Sequence, residues 1–284
     1  MSKKQSTQVV IISDLHVGST LGLCPPVVYL DDGGKYLPNE LQKLSYAYWK
    51  KTFWPYVWKK AEKENRRTIV VCNAETIDGS HHGTNQIWSN QPSDQIDVAA
   101  TVLDEAIHKA DVRLFTRGTP AHVGESGAAD EAVAKRCKAT RPDGRKIGPL
   151  STYHLSLNAG GVLLDISHQG PNAGSRMWTK GNGARSYART IILDALVLHQ
   201  KPPDVIVRSH YHKKLHETLR EYGHKTEMIV SPAWQWMTSY AFQVASFENV
   251  ADIGGILISI DNGAVSDIEF KCLSVSQNDT VTVA

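Results

Sequence analysis

Five short apolar runs of this chain end in a residue that can bind a metal ion, and this recurrence constrains the fold more than any other feature. Val9-Val10-Ile11-Ile12 passes through Ser13 into Asp14-Leu15-His16-Val17-Gly18. Thr68-Ile69-Val70-Val71-Cys72 leads into Asn73-Ala74-Glu75-Thr76-Ile77-Asp78-Gly79, and Val112-Arg113-Leu114-Phe115-Thr116 into Arg117-Gly118-Thr119-Pro120-Ala121-His122. The run from Gly161 to Ser167 leads into His168-Gln169-Gly170, and Val205-Ile206-Val207-Arg208-Ser209 into His210-Tyr211-His212. Runs this short, rich in Val and Ile and bounded by polar residues, fit buried strands of a covered sheet. Loops at the carboxyl ends of α/β strands converge to build sites. Singly, Asp14 also reads as a turn residue and His16 as its cap, but five repetitions point to one shared site. In an extended chain Asp14 and His16 leave the same face, so both can meet a single divalent cation.

The rest of the chain can supply a core around such a site. With 284 residues, 41% of them apolar, it is read as one large domain, residues 1–284, carrying two insertions. One is a loop and aromatic helical insertion at about 19–67, the other a polar insertion at about 124–150. The first begins with a Gly-, Pro- and Asp-rich loop over the site and continues as a helix from Leu41 to Arg67 that Pro55 should kink or divide. Its aromatic residues, among them Tyr48, Trp49, Phe53, Trp54 and Trp58, can pack a core or stack nucleobases. The second insertion reads as a short helix and a basic turn, solvated or in contact with substrate.

Helices are expected from a Ser-Asp cap at Ser93 to Lys109 and from Arg185 to Gln200, with a hairpin over Leu155 to Ile166. Strands are expected over Glu227–Ser231, Gly255–Ile260 and Val265–Phe270, the last two joined at Asp261-Asn262-Gly263-Ala264. The order βαβα followed by a strand-rich end suggests a two-sheet sandwich flanked by helices. A net charge of +2 is too mild for non-specific nucleic-acid binding over the whole surface. Four scattered cysteines with no Cys-x-x-Cys pair, a polar start at Ser2-Lys3-Lys4-Gln5 and no apolar run of ~20 residues together predict a cytoplasmic protein with no membrane span.

In order, the five blocks resemble the calcineurin-like metallophosphoesterases, whose pattern runs Asp-x-His, Gly-Asp-x-x-Asp, Gly-Asn-His-(Asp/Glu), His and Gly-His-x-His. Three departures stand out. Ala74-Glu75 replaces Gly and the bridging Asp, Gly118-Thr119-Pro120-Ala121-His122 has no direct counterpart of the metal-binding Asn, and Ser209 stands for Gly. The resemblance implies a four-layer α/β/β/α fold and a metal-dependent phosphoesterase acting on a phosphomonoester or phosphodiester through a two-metal-activated hydroxide.

It further implies Asp14, His16, Glu75 and His212 at one metal and Glu75, His168 and His210 at the other, with Glu75 bridging. His122 would face the leaving group, and Asp78 would orient a histidine by accepting its ring proton. Imidazole and carboxylate donors suit two divalent transition metals, Mn²⁺ foremost, with Fe, Zn²⁺ or Ni²⁺ as alternatives. His81, His82, Thr119 and Arg176 are candidates for further metal or substrate contacts. Two alternatives stay open: a nuclease acting on DNA or RNA, and a metal- or nucleotide-binding scaffold with weakened turnover.

Overall fold

The computed structural model describes residues 6–81, 83–142, 144, 147–171, 179–244 and 250–277. In chain order, β1 (Thr7–Ile12), β2 (Val28–Tyr29) and β3 (Lys35–Tyr36) precede α1 (Glu40–Tyr48), a π-helical turn (Trp49–Phe53) and α2 (Trp54–Lys63). Next come β4 (Arg67–Cys72), α3 (Pro92–Ile107), β5 (Val112–Thr116), α4 (Pro120–Val123), α5 (Ala128–Arg136), β6 (Ser151–Thr152), β7 (His154–Ala159), β8 (Val162–Ser167) and α6 (Asn182–Val197). The chain continues with β9 (Val205–Arg208), β10 (Leu215–Glu221), β11 (His224–Val230), α7 (Ser239–Val244), β12 (Val250–Asp261) and β13 (Ala264–Ser276).

Two mixed sheets form, in the orders β13-β12-β1-β4-β5-β6 and β10-β11-β9-β8-β7. The central strands β1, β4 and β9 are apolar on both faces because both faces are covered. In β1 and β4, Val9, Ile11, Ile69 and Val71 join Leu164, Ile166, Val205 and Val207 in a core between the sheets. Val10, Ile12, Val70 and Cys72 point the other way, against Trp49, Val57, Leu103 and Val133 of the helical layer. On the far side α6 lays Ala184, Ala188 and Ile192 over Ile206, Met228 and Val230. The period-2 alternation of each strand thus feeds two cores, and the architecture is a four-layer α/β/β/α sandwich. β1, β4 and β5 are mutually parallel, as are β8 and β9, so their carboxyl ends present the five loops together.

Pro55 divides the first helix by an unexpected device. The Trp54 N–H bonds back to the Trp49 carbonyl, one residue further than in an α-helix, and Pro55 sits in the first turn of α2. A proline lacks the N–H and crowds the carbonyl four residues back, and the widened turn accommodates it. The aromatic stripe is packing: Trp49, Phe53 and Trp54 are buried, and Trp234 meets the rings of Trp49 and Phe53 edge-on at 4.6 and 5.2 Å. Trp234 in turn donates its backbone N–H to the Asp14 carbonyl at 3.0 Å. The buried part of the stripe therefore braces a site loop from behind.

Other expectations are corrected. The loop after His16 is not a free cover, since Leu23 and Cys24 are fully buried and β2 and β3 pair within it. α3 begins at Pro92, after Gln91 with no side-chain cap, and α6 begins at Asn182. The polar insertion is not a solvated loop throughout, because α5 buries Ala129, Asp130, Val133 and Ala134. The expected hairpins are present as β7–β8 and β12–β13, the latter turning at Asn262 and Gly263, whose φ of 55° and 84° match a type I′ turn.

Candidate metal centre

β1 ends at Ile12, and the extended geometry expected for Asp14 and His16 is not what brings them together. Both have left-handed backbone, φ 55° and 45°, as do Ala74 (70°), Glu75 (49°), His210 (76°) and His212 (53°). Ala74, where the resembling pattern has Gly, thus takes a positive φ without being glycine. Paired backbone bonds hold these turns: Asp14 N–H to Ala74 O (3.1 Å), His16 N–H to Glu75 O (3.0 Å) and Val17 N–H to Thr76 O (3.1 Å). The first two loops are zipped to each other, which offsets the cost of left-handed non-glycine residues.

Two groups of side chains meet at Glu75, Asp14-His16-Glu75-His212 and Glu75-His168-His210. Glu75 Oε2 lies 3.3 Å from His16 Nε2, and Oε1 lies 3.2 Å from His168 Nε2 and 4.0 Å from His210 Nδ1. His16 Nδ1 donates to Asp78 Oδ1 (2.9 Å) and His168 Nδ1 to the Asn73 carbonyl (3.0 Å). With Nδ1 committed as donor, each ring turns Nε2 inward, where it would offer a lone pair once a cation displaces its proton. These Nε2 atoms face further nitrogens, His16 Nε2 to His212 Nε2 at 3.2 Å and His168 Nε2 to His210 Nδ1 at 3.3 Å.

Asp14 Oδ2 is held by the Ser13 hydroxyl, whereas the buried Oδ1 accepts no hydrogen bond among the described residues. His212, His16 and His168 nonetheless converge on Oδ1 with Nε2 at 3.2, 3.8 and 3.8 Å. An orphaned carboxylate oxygen ringed by imidazole nitrogens, with a second carboxylate alongside, is a donor set that fits divalent cations.

The titration behaviour of the same residues agrees. Burial opposes charge on Asp14 and Glu75, yet the facing histidines hold both carboxyls well below the usual range. Burial likewise opposes charge on His168, but Glu75 and Asp14 push it up to about 9, and the carboxylates around His16 raise it as well. Protons on the histidines balance the buried carboxylates where a cation would otherwise do so.

Asp78 accepts from His16 and also lies 3.3 Å from Gln235 Nε2, with His81 Nε2 3.4 Å from its other oxygen. Asp78 thus holds the His16 ring by its Nδ1. His122 donates Nδ1–H to the Asp78 carbonyl (2.7 Å), and its ring meets His16 at 4.6 Å and His81 at 4.2 Å. Burial, followed by the charge on His16, pushes His122 down to about 4.

Thr119 is corrected from an open ligand to a support, giving its N–H (3.1 Å) and hydroxyl (2.5 Å) to Glu75 Oε1. His82 and Arg176 lie outside the described residues. Arg185 and Arg189 of α6 pair with Glu217 and Glu221.

Four supporting residues were missed from sequence. Asp130 is fully buried and accepts from the Thr76 N–H (3.1 Å), the Thr76 hydroxyl (2.8 Å) and the Gly118 N–H (2.9 Å), tying the Glu75 loop to the Thr119 loop. Asn73 donates to Ser209 Oγ (2.6 Å) and Ser167 O (3.1 Å) and accepts from Thr116 Oγ1 (2.7 Å), joining four strand ends. Gln235 reaches the site from a loop with no motif of its own. Gly118 leaves room for Glu75, since a Cβ there would stand 2.4 Å from Glu75 Cγ. Only Asn73 and Gly118 carried a signal, through their place in the second and third blocks.

No protein-family model and no curated protein matches this sequence. Among solved structures, Vps29 of Entamoeba histolytica complexed with zinc is 12% identical, covers 96% of this chain and 100% of its own, and superimposes with a TM-score of 0.37. A Streptococcus pneumoniae protein described as a predicted phosphoesterase is 9% identical, with coverages of 96% and 98% and a TM-score of 0.35. A hypothetical protein of Thermus thermophilus is 11% identical, with coverages of 94% and 99% and a TM-score of 0.42. These scores are low, and the four-layer arrangement rests on the strand order and cores of the chain itself.

Proposed function

We propose that this chain is a metal-dependent phosphoesterase of the calcineurin-like group, binding one divalent ion through Asp14, His16, Glu75 and His212 and a second through Glu75, His168 and His210. The observation that carries the reading is that the two oxygens of one buried carboxylate face different histidines, Oε2 towards His16 and Oε1 towards His168. When bound, such a metal pair lowers the pKa of a shared water and neutralises phosphoryl charge. The imidazole-rich donor set favours Mn²⁺, Fe, Zn²⁺ or Ni²⁺ over Ca²⁺, and Mn²⁺ is the ion proposed.

The chain's own residues do the remaining work. Asp78 fixes the ring of His16, the Asn73 carbonyl fixes that of His168, and Thr119 fixes Glu75. His122 is held down to about 4 by burial and the charge on His16, with Nδ1–H committed to the Asp78 carbonyl, so its Nε2 is the atom through which a proton from solvent would reach the leaving oxygen. A metal-binding scaffold without turnover has no need for this partly exposed imidazole held beside His16, which favours the enzymatic reading.

The test is reconstitution with Mn²⁺ followed by elemental analysis and hydrolysis of an activated aryl phosphoester, before and after chelation. The expected result is two ions per chain and chelator-sensitive turnover. A reconstituted protein with no bound transition metal would overturn the site, and two ions without turnover on any ester would make it a scaffold.

A further inference from the structure

A groove of about 420 Å³ opens on the helical layer, and none of the candidate metal ligands lines it. One wall is the π-helical turn and α2, with Trp49, Lys50, Trp54, Trp58 and Lys59, and the other is the end of α3 with the residues just beyond it, Glu105 to Lys109. The Lys50–Glu105 ion pair, at 2.6 Å, joins the two walls. The volume lies within the range of small-molecule sites.

The lining is aromatic and carries a donor with nothing to donate to. The rings of Trp54 and Trp58 stack with centroids 5.6 Å and planes 20° apart, and Trp49 meets Trp54 edge-on at 5.3 Å. Trp54 is 4% exposed, yet its Nε1–H finds no acceptor among the described residues. A buried N–H left unpaired is costly, and a ligand that brings an oxygen to it recovers that cost. Among the indoles unpaired in this way, Trp54 is the one that lines the groove.

Charge narrows the ligand further. Glu105 already balances Lys50, whereas Lys59 on one wall and Lys109 on the other are exposed and form no ion pair among the described residues, with Glu62 as the remaining acid of the lining. The stacked indoles suit a planar ring, the unpaired N–H suits an acceptor oxygen, and the two lysines suit a negative charge on that oxygen.

We propose that this groove binds a small planar aromatic carboxylate, its ring laid against Trp58 and its carboxylate drawn by Lys59 and Lys109 to accept from Trp54. The assignment is independent of the phosphoesterase reading, since it uses no residue of the metal centre.

The test titrates the full chain with 2-naphthoate, with the neutral 2-naphthamide and with 2-naphthylmethylammonium, followed by saturation-transfer NMR and by the indole N–H resonances of the seven tryptophans. The Trp54 resonance is identified as the one missing from Trp54→Phe. Naphthoate should bind at least about tenfold more tightly than the amide and move the Trp54 N–H downfield, as a new charge-assisted hydrogen bond requires. Trp58→Ala should weaken naphthoate about tenfold, on the scale of one lost aromatic stack. The double variant Lys59→Met/Lys109→Met should keep the ring contact and abolish the preference for carboxylate over amide. Both lysines are exposed, so this variant keeps the fold and decides the matter even where circular dichroism shows Trp58→Ala to be unfolded. An unmoved Trp54 resonance, equal binding of the amide, tighter binding of the ammonium, or a lysine variant that keeps the carboxylate preference would each overturn the proposal.

Discussion

Thr119 gives both its N–H and its hydroxyl to the single oxygen of Glu75 that faces His168. The glutamate is therefore held at its far end by the loop that follows β5. Glu75→Gln should lose at least one metal and most activity, because a neutral amide cannot balance two cations and its NH₂ would meet the Thr119 donors. Glu75→Asp should retain two ions but lose about 10²-fold in rate, the scale expected for a displacement of ~1 Å. Elemental analysis paired with turnover separates the two, and a Glu75→Gln protein with two ions at full rate would move the bridge elsewhere.

Gly118 is expected to be intolerant of a single methyl group. Its added Cβ would press on Glu75 Cγ and lie 3.2 Å from the Glu75 backbone nitrogen, so the side chain or its turn must shift. Gly118→Ala should keep a cooperative melt by circular dichroism while turnover falls by about 10²-fold.

His122 touches neither Asp14 nor Glu75 by hydrogen bond, and its Nδ1 is occupied by the Asp78 carbonyl. His122→Ala should keep the metal content and lose about 10²–10⁴-fold in turnover, the range for a positioned acid or base. Equal loss of metal and activity would show His122 to be a ligand.

Metal-free protein should lose stability in alkali, and loaded protein should not. A histidine raised to about 9 in the folded state, against ~6.5 when free, contributes stability that is fully present below pH ~6.5 and is lost as pH rises through about 9. The metal-free protein should therefore lose roughly 5–10 °C in Tm between pH 6.5 and 9.5, and the loaded protein should not, since the ion takes over the balancing charge. Calorimetric melts across that range check this, and a flat metal-free profile would refute it.

Asp130→Ala should cost about 2–4 kcal/mol in urea unfolding, because it strands the buried N–H groups of Thr76 and Gly118. Asp130→Asn keeps one acceptor oxygen but turns an NH₂ towards one of these donors, so a smaller loss is expected.

The sheets were legible because strands such as β1 and β4, covered on both faces, leave unbroken Val and Ile runs, and the site because each parallel strand ends in its donor. β10 was not legible, since it alternates buried Leu215 and Leu219 with charged residues and has no continuous run. Asp130 was hidden for a different reason. A carboxylate two residues into a polar helix looks solvated unless one knows that two loop amides are buried against it. Gln235 depends on the return of a distant loop, which no local spacing encodes. Asp14 and His16 come together through left-handed turns and not through an extended strand, because side-chain alternation stops where the strand stops.

Five proposed ligands, Asp14, His16, Glu75, His210 and His212, together with Ala74, occupy backbone conformations that cost an ordinary L-residue roughly 1–2 kcal/mol each. This inverts the usual logic of scanning mutagenesis. At His16, His210 or His212, replacement by glycine removes the imidazole and relaxes the turn, whereas alanine removes the imidazole and keeps the tension. Glycine variants of these histidines should melt higher than their alanine counterparts while binding metal equally poorly, so the chain gives up conformational ease at these turns in order to hold its donors.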